Sequence, residues 1–200
     1  MIFPITKSRY KVLRKIYENP GINISELVKE TSTAPNIIYK HINDLKNSEV
    51  IKEVEVGKNR MKKIYPNLKS ENGKLVFSLI EMQKKEEFFV KYKSLKGPFI
   101  QLLQNLPNNV VCILVFGSYA RLAAEKESDL DLLFITTNNK TEKIERILEE
   151  SFVTFGKVSP RVITIDEFTK SKDTDTLLKQ IIKEHICVFN AWMFLELISE

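Results

Sequence analysis

The stretch Val110-Val111-Cys112-Ile113-Leu114-Val115-Phe116-Gly117-Ser118-Tyr119-Ala120-Arg121, then seven residues, then Asp129-Leu130-Asp131-Leu132, decides how the second half of this chain folds. Val110 to Phe116 is a continuous apolar run of strand length, bounded by a Gly-Ser break. Such a run reads as a buried strand. Ser118 to about Ala124 reads as a short helix after the turn. Asp129 to Thr136 is apolar apart from its two acids and its final threonine and reads as a second strand. Residues i and i+2 of a strand share a face, so Asp129 and Asp131 are expected side by side.

Working outward, Phe99 to Leu106 predicts a short helix before this pair of strands, and Thr141 to Phe152 a helix after it. Val158 to Ile165 predicts a third strand. Two helices, roughly Thr174 to His185 and Ala191 to Ser199, close the chain. The order is that of a small mixed sheet with helices packed against it. Lys96-Gly97-Pro98 punctuates the chain and is read as the domain boundary.

The first region reads helix, helix, helix, hairpin. Ser8 to Glu18 places Val12, Leu13, Ile16 and Tyr17 at helical spacing, and Asn19-Pro20-Gly21 ends the helix. Asn23 and Glu26 form a capping box for a second helix, with Ile22 and Leu27 as its hydrophobic staple. Thr33 is the expected N-cap of a third helix, with Pro35 in its first turn. That helix runs to about Lys46, with Ile38, Ile42 and Leu45 inward. Val50 to Val56 and Met61 to Tyr65 read as strands around the turn Gly57-Lys58-Asn59-Arg60. A helix from about Glu71 to Lys91 follows, with Leu75, Leu79 and Met82 on one face.

Composition sets bounds. The chain has 200 residues, 43% hydrophobic and 28% charged. That is ordinary for a globular protein with room for a sizeable core. No apolar run reaches membrane-spanning length, and residues 1–10 lack the pattern of a signal peptide. A cytoplasmic location and buried free thiols at Cys112 and Cys187 are therefore expected. The net charge is +5 and unevenly spread. Residues 1–69 hold 14 Lys+Arg against 7 Asp+Glu, whereas residues 70–200 hold 17 against 19. The asymmetry suggests a polyanion-binding head on a near-neutral body, the plainer alternative being a basic solvated surface.

Three helices and a basic hairpin over residues 7–67 resemble the winged helix-turn-helix family. The segment Ile38-Tyr39-Lys40-His41-Ile42, then Leu45, then Val50-Ile51 carries the likeness. The resemblance implies that the third helix enters the major groove of double-stranded DNA. Asn36, Tyr39, Lys40 and Asn43 would face the bases and phosphates, and Lys58, Arg60, Lys62 and Lys63 would grip phosphates from the wing. His41 is expected to be a packing residue.

Gly117-Ser118, ten residues, then Asp129-x-Asp131 resembles the minimal nucleotidyltransferases of the DNA-polymerase-β superfamily, over about residues 98–190. The chemistry accounts for the pattern. Nucleotidyl transfer needs phosphates held in line and charge neutralised. Gly117 lets the backbone approach a triphosphate, and Ser118 adds a hydroxyl. Two adjacent carboxylates repel unless a cation lies between them, and Mg²⁺ bound through one or two carboxylates plus substrate phosphates fits. The resemblance thus implies Asp129 and Asp131 as metal-binding and catalytic residues, with Gly117, Ser118 and Arg121 holding a nucleoside triphosphate such as ATP. Arg121 is left between touching phosphate and pairing with Asp129. Active relatives carry a third carboxylate on the next strand. Here Val158 to Ile165 contains no acid, Asp166 reads as a helix cap, and Arg161 stands as a cation in the acid's possible place. His185 and Trp192 read as packing residues.

The expected fold class is α/β (α+β): a winged helix-turn-helix over residues 1–69, a connecting helix and linker over 70–97, and a nucleotidyltransferase-like domain over 98–200. Two functions are carried forward. One is a DNA-binding protein that holds NTP-Mg²⁺ and transfers a nucleoside monophosphate to a protein, such as a partner toxin, or to another acceptor. The alternative is a transcriptional regulator whose second domain is catalytically degenerate and acts as sensor or dimerisation module. A homodimer joined through the 71–91 helix is expected.

Overall fold

The computed structural model describes residues 5–199. The compact units part after Ile80. The first unit begins with α1 (Lys7–Glu18), α2 (Ile24–Thr31) and α3 (Pro35–Asn47), then β1 (Ile51–Val56) and β2 (Met61–Pro66). The capping box forms as its sequence dictates: Glu26 N–H donates to Asn23 Oδ1 at 2.9 Å, and Asn23 N–H to Glu26 Oε2 at 2.8 Å. The start of α3 differs from expectation. Ala34 is the N-cap, without a side-chain bond, and Thr33 instead donates to the Thr31 carbonyl at 3.4 Å. Pro35 has its ring-fixed φ and no N–H, which suits the first helical position and leaves Thr33 one residue outside.

β1 and β2 pair antiparallel from Ile51↔Pro66 to Val56↔Met61, and Ile22 bridges to Ile64. Three helices closed by this ladder make a winged helix. Val12, Leu13, Ile16, Leu27, Ile38, Ile42, Leu45 and Ile64 are buried. Each such side chain contributes about 1.5–3 kcal/mol by leaving water. A polar clasp ties α1 to α3. Arg9 lies 2.5 Å from Asp44, and His41 meets Ser8 Oγ at 2.9 Å and accepts from Arg9 Nε at 3.4 Å. His41 is thus a packed, bonded residue, and burial together with the Arg9 charge holds its pKa below the ordinary value.

The division between the units falls inside α4 (Glu71–Lys91), not at Lys96-Gly97-Pro98. Those three residues open α5 (Lys96–Gln104). Pro98 sits in the first turn, where its missing N–H has no intrahelical partner to lose, so the tripeptide starts a helix instead of forming a linker. The second unit continues with β3 (Val110–Phe116), α6 (Gly117–Ala120), β4 (Leu130–Thr136), α7 (Glu142–Ser151), β5 (Val158–Thr164), α8 (Ile165–Ser171), α9 (Thr176–Lys183), β6 (Ile186–Phe189) and α10 (Ala191–Ser199). Two of these elements are absent from the sequence reading. β6 is four residues long, too short for a period to show. α8 is capped by Thr164 and Glu167 in a second capping box, so Asp166 is not the cap.

The sheet order is β5-β4-β3-β6. β3 pairs antiparallel with both β4 and β6, while β4 and β5 run parallel. Pro160 falls on the edge strand β5, where a residue without N–H is tolerated. One sheet face, with Leu130, Leu132 and Phe134, packs into an aromatic-rich core with Phe88, Phe99 and Phe152. The other face is covered by α8, through buried Phe168. Cys112 and Cys187 are free thiols, both buried. Their sulfurs are 3.9 Å apart.

Candidate functional site

Gly117 ends β3 at φ +69°, in the left-handed region, and begins the four-residue α6. Absence of a side chain is required there for a second reason. A Cβ built on Gly117 would collide with Asp131 Oδ2 and stand 3.2 Å from its Cγ. The Asp131 carboxylate therefore rests against the bare turn. β-pairing sets Asp131 opposite Phe116, the residue before that turn. Asp129 lies just before β4 instead of on it, since the strand begins at Leu130. Burial raises the Asp131 pKa first and the neighbouring Asp129 charge raises it further, against the lowering effects of Lys157 and Arg121. Two carboxylates in mutual repulsion suit one divalent cation, with substrate phosphates completing its shell.

β5 carries no acid, and the register shows which of its residues lies beside Asp131. Parallel pairing sets Ser159 beside Asp131 and Arg161 beside Leu133. Registered partners share a face, so Ser159, not Arg161, occupies the neighbouring position. Arg161 reaches Asp175 at 3.6 Å. Among the described residues no group of three or more His, Cys, Asp or Glu side chains could hold a metal ion. Arg121 does not bond Asp129. It lies 3.6 Å from Glu184, at the rim of a cavity of about 140 Å³ formed by Gly117, Phe116 and the α9 side chains Leu177, Gln180 and Ile181. The partner of Asp129 is Lys157, at 2.8 Å. α6 is one turn long where a longer helix was expected, so nucleotide contact would rest on the turn itself and the half-buried Ser118. A larger cleft of about 650 Å³, lined by Asn105, Asn109, Lys140, Lys143 and Arg146, includes none of Gly117, Ser118, Asp129 or Asp131.

Sequence reading missed Lys157 and Ser159, because their placement depends on which strands pair. It also missed a buried ionic cluster. Glu81 is fully buried, with Oε1 2.7 Å from Lys84 Nζ and 3.1 Å from His185 Nε2, while Oε2 accepts from Cys187 N–H at 3.2 Å. His185 Nδ1 is 3.1 and 3.0 Å from the Ile181 and Ile182 carbonyls. A ring facing acceptors at both nitrogens makes all these bonds only when both carry hydrogen. Burial alone would raise the Glu81 pKa, but the charges and hydrogen bonds of His185 and Lys84 prevail and hold it well below the usual carboxylate range. His185 also packs on Phe194, and Trp192 is 42% exposed.

In the first unit Asn36, Tyr39, Lys40 and Asn43 all lie on the exposed side of α3, and Lys58, Arg60 and Lys62 are exposed on the hairpin. Tyr39, Asn43 and Lys62 come together along one groove of about 510 Å³, with Asn23, Ser25 and Met61. A Lys46–Glu53 ion pair of 2.6 Å lies in the same groove. Asn36, Lys40, Lys58 and Arg60 are not among the groove's lining residues. Lys63 departs most from expectation: it is half-buried, 3.9 Å from Glu26, because alternate strand residues face opposite sides. Along α4, Leu75, Leu79 and Met82 are 45%, 43% and 54% exposed. No helix among the described residues is long and apolar enough to cross a membrane.

Residues 99–191 match the family model "Polymerase beta, Nucleotidyltransferase". No curated protein matches the chain. Among solved structures, the crystal structure of the transcriptional regulator SlyA is similar at 26% identity, covering 46% of this chain and 62% of that one, with a TM-score of 0.37. This chain therefore spans less than two thirds of that protein.

Proposed function

We propose that this chain, whose residues 99–191 match the polymerase β nucleotidyltransferase model and whose first unit is a winged helix, is a DNA-binding protein whose second unit binds a nucleoside triphosphate with Mg²⁺. The observation that carries the nucleotide half is the seating of Asp131 against the bare turn at Gly117, beside Asp129. Asp129 and Asp131 would hold the cation, and Gly117 and Ser118 would admit the triphosphate. Arg121, at the rim of the small cavity, would offer its guanidinium to phosphate oxygens. Bound Mg²⁺ supplies charge compensation for the triphosphate. The tertiary arrangement contributes pre-organisation: Asp131 is fixed on a central strand between β3 and β5.

On this reading transfer to a protein or other acceptor is slow. Ser159, beside Asp131 on β5, offers no carboxylate to help activate an attacking oxygen, which favours a sensor or regulatory role for the domain. The DNA half rests on the exposed polar row of α3 and the basic hairpin. The exposed stripe Leu75, Leu79 and Met82 is assigned to contact with a second copy of the chain. The test is incubation of the full chain with labelled NTPs and Mg²⁺, followed as melting temperature and as labelled product. A rise in melting temperature that requires Mg²⁺ supports nucleotide binding. Rapid labelling of an acceptor overturns the regulatory assignment, and no shift with any NTP removes the nucleotide reading.

A further inference from the structure

Lys157 immediately precedes β5, and its backbone is fixed there by the Leu130 N–H, which donates to the Lys157 carbonyl at 2.9 Å. Parallel pairing of β4 and β5 thus brings residue 157 beside the start of the strand that carries Asp131. Its ammonium donates to Asp129 Oδ2 at 2.8 Å. Lys157 therefore takes one carboxylate of the pair, on the side where a bound cation would otherwise answer Asp129. The position beside Asp131 on β5 holds Ser159, which brings no negative charge. Two carboxylates with one ammonium leave a net charge of one negative unit for divalent cations. Two divalent ions held a few ångströms apart repel strongly and need more negative charge from the protein than one such unit.

We propose that Lys157 is the resident counter-ion of this site: its ammonium takes the side of the carboxylate pair at Asp129, and the site holds one divalent cation, not two, together with a triphosphate. The proposal rests on the nucleotide-site reading above and deepens it. The Lys157 side chain is 74% exposed and that of Asp129 39%, so the pair is a surface pair of modest strength. It tunes cation occupancy without blocking the site. Lys157 is in this sense a positioning residue, acting on the cation through Asp129.

The experiment counts Mn²⁺ by electron paramagnetic resonance on the full chain, with and without equimolar α,β-methylene ATP. Wild type is expected to bind one Mn²⁺ per chain with the nucleotide. Lys157→Met is expected to bind Mn²⁺ about tenfold more tightly, the order set by one unit charge about 6 Å from a divalent ion at the dielectric of water, as suits this exposed side chain. Lys157→Arg should restore wild-type affinity. Lys157→Met combined with Ser159→Asp should bind a second Mn²⁺, whereas Ser159→Asp alone should not. Two Mn²⁺ on the wild type, or affinities of wild type and Lys157→Met within twofold, overturn the proposal while leaving the cation site standing. No Mn²⁺ on any variant overturns both the proposal and the reading of Asp129 and Asp131 on which it rests.

Discussion

The two units present charge in opposite ways. The winged helix spreads single charges over an exposed surface: Lys40 on α3, and Lys58, Arg60 and Lys62 along the hairpin. The second unit concentrates a few charges where backbone geometry fixes them: Asp131 against Gly117, Lys157 against Asp129, Glu81 between Lys84 and His185. A dispersed surface answers roughly in proportion to the number of charges removed, because each contributes its own counterion release. A concentrated site responds out of proportion when one member is lost, in either direction, because the remaining groups were placed to answer it.

The sharpest break in this comparison is expected at the carboxylate pair. Asp129→Asn with Asp131→Asn should abolish any Mg²⁺-dependent rise in melting temperature caused by NTP. The metal-free protein should melt close to wild type, since relief of the mutual repulsion offsets loss of the exposed Lys157–Asp129 pair. Differential scanning fluorimetry reads both. A surviving shift would mean that nucleotide binds elsewhere, with the cleft around Asn109 and Arg146 the next place to look.

A slightly smaller effect is expected at Glu81. Glu81→Gln takes the shared carboxylate from Lys84 and His185 in a buried setting and should cost about 3–5 kcal/mol. The sign of the pH dependence follows from the lowered pKa of this group. Its stabilising contribution is fully present above the unfolded-state value near 4.5 and declines as pH falls below it toward the lower folded value. Denaturant melts of wild type should therefore weaken below about pH 4.5, and those of Glu81→Gln should weaken less. Parallel pH profiles for the two proteins would show that the cluster does not carry this linkage.

The dispersed surface should respond in graded fashion. Lys58, Arg60 and Lys62 changed together to Ala should weaken binding of the full chain to all duplex sequences alike. The slope of log affinity against log salt should fall by about 3 in magnitude. Adding Lys63→Ala should change little, since that side chain lies on the opposite side of the strand near Glu26. Asn43→Ala should instead cost about 1–3 kcal/mol at one base position and leave the salt slope unchanged. Fluorescence anisotropy over a salt series separates the two outcomes.

Gly117→Ala probes the concentrated site at its backbone. The positive φ alone costs about 1–2 kcal/mol for a residue with Cβ. The same methyl displaces Asp131, so cation affinity should fall along with stability. An unchanged Mn²⁺ titration in this variant would mean that the Asp131 carboxylate is free to move without consequence.

Much of this organisation was legible in local sequence. The Asn23–Glu26 capping box, the α3 inner face of Ile38, Ile42 and Leu45, the limits of α4 and the limits of β3 all follow from interactions within a few residues of one another. The Gly117-Ser118 break was legible for the same reason, since a turn is local geometry, whereas Asp129 falls one residue before β4 and not on it as the i, i+2 reading expected. The buried thiols followed from apolar surroundings.

What local sequence could not decide was pairing across the sheet. Nothing near residue 159 says that it stands beside Asp131, or that Arg161 is displaced to Leu133, because register is set by the fit of whole strands and their side-chain faces. Lys157 finds Asp129, and Glu81 finds His185, across separations of 28 and 104 residues. The sequence by itself determined the two kinds of unit and the residues at the bare turn. Only the tertiary structure decided which cation faces which carboxylate, because those energies depend on distance and burial, which arise when distant segments are packed together.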